Sequence, residues 1–151
     1  GLVWLIWYIM KKRARGEPLI PEEPPRPSGE VALEELLALE GERMWQRGLV
    51  KEYYSRLTDI VRLYIERRFA VLAMESTSDE ILAAERIRGL ENGVRDLLRD
   101  VLLRADLVKF AKFQPLPQEN ESSLASSRAF VEATQLVDEQ PKPQPVVEVN
   151  A

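Results

Sequence analysis

LVKEYYSRLTDIVRLYIERRF, residues 49–69, decides the fold class. Val50, Tyr54, Leu57, Val61 and Tyr64 recur at alternating steps of four and three. That spacing lays them on one face of an α-helix. Tyr53, Ile60 and Ile65 widen the stripe. Lys51, Glu52, Ser55, Arg56, Asp59, Arg62 and Glu66 fall on the opposite face. Glu52 and Arg56 form an acid-first i,i+4 pair, which adds about 0.2–0.5 kcal/mol to a helix. An amphipathic helix of this length must bury its stripe against other elements, so the question becomes what surrounds it.

Downstream, ESTSDEIL (75–82) places Thr77 three residues before Glu80 and just ahead of Ile81 and Leu82. This is a capping-box pattern, and it predicts a helix over 78–88. Gly89 and the ENG at 91–93 mark a turn. Residues 94–113 resume helical spacing through Val94, Leu97, Leu98, Val101, Leu102, Ala105 and Val108. Phe110 and Phe113 leave that stripe, which predicts a bend or fresh start near Asp106, itself a good N-cap residue. Pro115 and Pro117 end the element. A last helix over 121–137 presents Leu124, Val131 and Thr134, with Phe130 and Val137 beside them. From Asp138 the composition reads as a disordered tail, 138–151.

Upstream, residues 30–47 predict a helix with Leu33, Leu36, Leu37, Met44 and Trp45 on one face. Gly41 weakens its interior and points to a close contact there, and Gly48 offers a stop. Before it, GEPLIPEEPPRPSG (16–29) holds five prolines. Such a run favours polyproline II, and at about 3.1 Å per residue it spans up to roughly 40 Å. Its PxxP spacings are short enough to arise by chance, so a semi-rigid spacer is the simpler reading.

The first ten residues, GLVWLIWYIM, carry no charge, and Lys11, Lys12, Arg13 and Arg15 follow. Ten helical residues reach about 15 Å, half of a hydrocarbon core. Trp4, Trp7 and Tyr8 suit the interfacial belt, and the basic cluster suits the cytoplasmic side. The expectation is the C-terminal part of a transmembrane helix (1–10), a basic flank and Pro-rich linker (11–29), and a cytoplasmic helical domain (30–137). The competing reading is a short amphipathic or core helix.

The chain has 151 residues, no cysteine and no histidine. Disulfides, thiolates and imidazole ligands are excluded by composition, and zinc and haem sites are disfavoured with them. Four of the 21 basic side chains lie in the first fifteen residues, which hold no acid. The rest has 17 basic against 25 acidic side chains, net −8. An acidic body disfavours phosphate binding and with it nonspecific nucleic-acid recognition. No Gly-rich phosphate loop is present. Glu34/Glu35, Asp79/Glu80 and Asp96/Asp100 are acid pairs, but they read as solvated helix faces or a first helical turn. No nucleophile and base are paired in the usual way. Asp106 and Lys109 flank apolar residues and are candidates for a partly buried ion pair, with two solvated charges as the alternative.

YYSRLTDIVRLYIERRF, MESTSDEIL and LLRADLVKFAKF together resemble the cytoplasmic C-terminal region of BatD-like, aerotolerance-operon-type bacterial single-pass membrane proteins. The resemblance runs over roughly 30–135. On it, Tyr53, Leu57, Thr58, Tyr64, Phe69, Thr77, Glu80, Ile81, Ala105, Asp106, Lys109 and Phe110 are architectural positions, and no catalytic residue is implied. It implies an inner-membrane location and neighbours of the MoxR-type AAA+ ATPase and von Willebrand A-domain classes.

The expectation is therefore all-α: a truncated transmembrane helix, a Pro-rich linker and a compact bundle of four or five helices. The expected role is a non-enzymatic interaction domain with no cofactor, no metal and no nucleic-acid partner. Arg56, Asp59, Arg62 and Glu66 form the candidate docking face, and Thr77, Glu80, Asp106 and Lys109 are structural. The alternatives are a carboxylate-based metal-dependent enzyme and a helical DNA-binding module.

Overall fold

The computed structural model describes residues 1–14 and 26–136. These residues are all-helical, in the order α1 (Leu2–Ala14), α2 (Ser28–Glu42), α3 (Val50–Phe69), α4 (Ser78–Ala83), α5 (Glu85–Arg88), α6 (Asn92–Ala111) and α7 (Pro117–Thr134). Single 3₁₀ turns at Trp45–Arg47 and Ala73–Glu75 flank α3. Among the described residues no helix is long and apolar enough to cross a membrane. Arg15, residues 16–25 of the Pro-rich run, and residues 137–151 with the expected tail lie outside the described residues.

The stripe predicted from 49–69 is the centre of the core. Tyr54, Leu57, Val61 and Ile65 are fully buried, and Tyr53 and Tyr64 nearly so. α3 packs against α2, α6 and α7, and α7 also packs on α2 and α6. Leu36 and Leu39 enter from α2, Leu98, Leu102 and Ala105 from α6, and Phe130 and Val131 from α7. Each fully buried Leu, Val, Ile or Phe side chain contributes about 1.5–3 kcal/mol of transfer free energy. Phe130 meets Tyr64 edge-on, with ring centroids 6.1 Å apart.

Helix ends depart from the sequence expectations for local reasons. α2 begins at Ser28, where Arg26 pairs with Glu30 and Glu34. It ends at Glu42 because Arg43 turns left-handed, at φ 50°. Only then does the 3₁₀ turn run to Gly48, at φ 87°. The close contact expected at Gly41 is not there, since a Cβ at Gly41 would meet nothing within 4 Å. It lies instead at Gly29, where a Cβ would sit 2.4 Å from Gln135 Oε1 and 2.7 Å from Gln135 Cβ. A backbone without a Cβ lets the end of α7 cross α2 at this point.

The helix expected over 78–88 is broken in two, because Ala84 is extended at φ −62°, ψ 139°. The bend expected near Asp106 is absent: α6 runs unbroken to Ala111. Phe110 left the buried stripe because it is exposed, at 79% of its surface, and not because the helix turns. Pro117 starts α7 rather than ending α6. Its missing N–H costs nothing in a first turn, and Glu119 Oε1 accepts from Leu116 N at 2.8 Å.

α7 holds the feature that hydrophobic patterning cannot detect. Asn120, Ser123, Ser127 and Thr134 are buried, together with Phe130 and Val131. The buried polar residues alternate at helical spacing and face the tyrosines of α3. Tyr53 donates to Asn120 O at 3.0 Å and Tyr54 to Asn120 Oδ1 at 2.8 Å. Tyr64 Oη and Thr134 Oγ1 are 2.7 Å apart. Small side chains let α7 approach closely, and the phenols saturate polar groups that would otherwise cost free energy on burial.

Candidate functional site

The charged face of α3 was the sequence-derived docking candidate. Its four members sit on adjoining turns but are largely occupied within the fold. Arg56 makes a two-pronged pair with Glu42, both bonds at 3.1 Å. That hydrogen bonding holds the Glu42 carboxyl below its usual range. Arg62 is half-buried. Its Nη2 lies 3.4 Å from Ser78 Oγ, and its Nε is buried without a partner. Glu66 accepts from the backbone N of Met74 at 3.0 Å, which fixes the turn after α3. Asp59 is exposed, as Arg56 is. Lost hydration along the surrounding walls raises its carboxyl above the usual value, against the pull of Lys109, Arg62 and Arg56.

The structure adds residues that the charge pattern missed. Glu35 and Ala38 of α2, Arg56, Asp59, Ile60 and Leu63 of α3, and Met74 of the following turn line one open groove of about 280 Å³. Its floor is apolar, through Ala38, Ile60, Leu63 and Met74. Its rim is charged, through Glu35, Arg56 and Asp59. Arg56 and Asp59 were in the sequence-derived face, and a further signal is Leu63, an apolar residue amid the charged positions Asp59, Arg62 and Glu66. Met74 lines the groove from the 3₁₀ turn whose backbone the Glu66 carboxylate helps to hold.

Thr77 and Glu80 make the reciprocal cap: Thr77 Oγ1 accepts from Glu80 N at 3.1 Å, and Glu80 Oε1 accepts from Thr77 N at 2.9 Å. Asp106 and Lys109 do not bond to each other. Lys109 Nζ donates to Thr58 Oγ1 at 3.2 Å, joining α6 to α3. Thr58 in turn donates to Tyr54 O at 2.9 Å. Burial lowers the Lys109 pKa, Arg62 lowers it further, and Asp59 and Asp106 oppose the shift. The ion pair is therefore not formed, and Lys109 alone joins α6 to α3, through a hydroxyl.

The acid pairs are divided among local partners. Glu34 meets Arg26, Glu80 serves the cap and Asp96 meets Arg99. Among the described residues no group of three or more Asp or Glu could hold a metal ion. Lys11, Lys12 and Arg13 fall in the last turns of α1.

No family model, no curated protein and no solved structure matches this chain.

Proposed function

We propose that this chain is the cytoplasmic, non-enzymatic interaction domain of a bacterial inner-membrane protein. In this reading α1 is the inner end of a transmembrane helix, Lys11, Lys12, Arg13 and Arg15 face the cytoplasmic leaflet, and the remaining helices form a compact bundle held off by the Pro-rich linker. The partners are a MoxR-type AAA+ ATPase or a von Willebrand A-domain protein, on the resemblance described above. The observation that carries the docking role is the groove between α2 and α3. An apolar floor inside a charged rim is the anatomy of a protein interface, and the rim charges would steer encounter.

The groove also refines which residues to alter. Arg62 is too enclosed for a clean charge reversal, whereas Asp59 is exposed and Leu63 is half-buried on the groove floor. The test is titration of the purified ATPase and of the A-domain protein against the chain with Asp59→Lys and Leu63→Glu. Binding weakened at least about tenfold, equivalent to 1.4 kcal/mol, with an unchanged melting midpoint supports the groove. Undiminished binding by both folded variants rejects it. Location is tested separately by alkaline phosphatase fused after Ala151 in the full-length parent protein. Periplasmic activity would refute the topology.

A further inference from the structure

Three arginines converge on an open groove of about 600 Å³ where α4, α5 and α6 meet. Arg88 comes from the last turn of α5, and Arg95 and Arg99 stand one turn apart on α6. Leu82 and Ala83 of α4 supply an apolar wall, and Asp79 is the one acid among the lining residues. The lining thus carries three positive charges against one negative, on a body of net −8. This groove shares no residue with the one between α2 and α3.

The way the three are held decides what they can do. Arg95 Nη1 donates to Arg88 O at 2.6 Å and to Leu90 O at 3.3 Å, and its Nη2 donates to Asn92 Oδ1 at 2.7 Å. All three acceptors are neutral, so the guanidinium is fixed in place while its charge stays uncompensated. Arg88 is exposed, and among the described residues its guanidinium has no ion-pair partner. Arg99 meets Asp96 at 2.6 Å, with side chains 43% and 61% exposed. A solvated pair of this kind contributes little, so Arg99 can exchange Asp96 for another carboxylate at small cost. Guanidinium forks match carboxylates in two-pronged pairs, and a fork immobilised beforehand loses less freedom on binding. We infer that the α4–α6 groove binds an acidic segment of a protein partner. Its carboxylates meet Arg88, Arg95 and Arg99, and its methylene stems lie against Leu82 and Ala83. A nucleic acid or an anionic bilayer is a poorer occupant, because either brings extended negative charge against the rest of an acidic body.

The probe is fluorescently labelled hexaglutamate, with labelled hexaglutamine as control, titrated against the 151-residue chain at low salt. Lys11→Gln, Lys12→Gln, Arg13→Gln and Arg15→Gln are made first, so that the basic flank does not compete for the probe. In that background hexaglutamate should bind and hexaglutamine should not. Arg88→Glu should weaken binding about tenfold at an unchanged melting midpoint, and Asp79→Asn should tighten it. Lys51→Glu makes the same charge change at an exposed position outside the groove and should leave binding nearly unaltered. Arg88→Ala, which adds no charge, repeats the test should Arg88→Glu disturb α5. Equal binding of the two peptides would overturn the inference. Equal losses from Arg88→Glu and Lys51→Glu would overturn it too, by showing a response to overall charge. Displacement of hexaglutamate by millimolar inorganic phosphate at matched ionic strength would overturn the assignment to a peptide and leave a small-anion site.

Discussion

Tyr54 and Asn120 stand 66 positions apart in the chain and meet in the core, phenol oxygen to amide oxygen at 2.8 Å. Tyr54 Oη also lies 3.2 Å from Ser123 Oγ, which accepts in turn from Arg104 at 2.8 Å. A hydroxyl on α3 thus specifies where α7 sits, and an arginine on α6 closes the set. Tyr54→Phe keeps the ring and removes only the hydroxyl. Because it strands Asn120 Oδ1 in the core, it should destabilise by about 1–3 kcal/mol. Leu57→Ala, which opens a cavity beside it, should cost about 2–5 kcal/mol. Urea titration of both variants checks the order. A Tyr54→Phe midpoint equal to that of the parent chain would show that the bond contributes nothing net.

The same substitution at two glycines of α2 should have opposite signs. Gly29→Ala drives a methyl into Gln135, including its Cβ, which cannot swing aside. It should cost about 1–3 kcal/mol. Gly41→Ala meets open space within a helix and should stabilise by about 0.4–1 kcal/mol through the unfolded chain. Thermal melts of the two variants decide, and a loss of stability at position 41 would contradict the helical assignment there.

Among the described residues three helices end on a left-handed residue that is not glycine: Arg43, Ala70 and Lys112. Ala70, at φ 58°, closes α3 by donating to Glu66 O at 3.0 Å. A β-carbon in this conformation costs about 1–2 kcal/mol, partly offset by the greater freedom that glycine loses on folding. Ala70→Gly should therefore raise stability by about 0.5–1 kcal/mol, read as a higher urea midpoint at unchanged slope.

Alkali should unfold the protein through the tyrosine seam. Burial pushes the Tyr53 and Tyr54 hydroxyls above the usual value. The folded state keeps protons that the unfolded state releases near pH 10, so this stability is full below about pH 10 and is lost as pH rises further. Lys109 acts in the opposite sense. Its depressed pKa means that the unfolded chain binds more protons, so stability rises as pH climbs from the folded toward the unfolded lysine value. Absorbance of phenolate at these two positions should appear only together with loss of helix. Tyrosinate formation in a fully helical chain would contradict the burial of the seam.

What could be read from the sequence follows from which interactions are hydrophobic. Tyr54, Leu57, Val61 and Tyr64 revealed α3 because burial at helical spacing leaves an apolar stripe. Asn120, Ser123 and Ser127 did not reveal the matching face of α7, since polar residues that are buried and bonded look like solvated ones in a linear chain. Phe110 misled for the complementary reason. An aromatic residue that faces outward looks like core that has lost its register, and a bend near Asp106 was inferred where α6 is straight. The α2–α3 groove was half legible. Arg56 and Asp59 belong to its rim, but Met74 and Ala38 arrive from segments that only the tertiary fold brings to α3.

The tyrosine seam also sets an order of events during folding. The α2–α3 contacts join neighbouring segments and can close early, whereas Tyr53, Tyr54 and Tyr64 must wait for acceptors 66–70 residues later in the chain. Long loop closure comes before the reward of such pairings. While the chain is still being synthesised, Tyr53 and Tyr54 therefore lack their acceptor until Asn120 has emerged, and Tyr64 until Thr134 has. The seam works as a terminal latch: a nascent chain stopped short of α7 has an open, wet core, and completion of the C-terminal helix turns that assembly into a closed one.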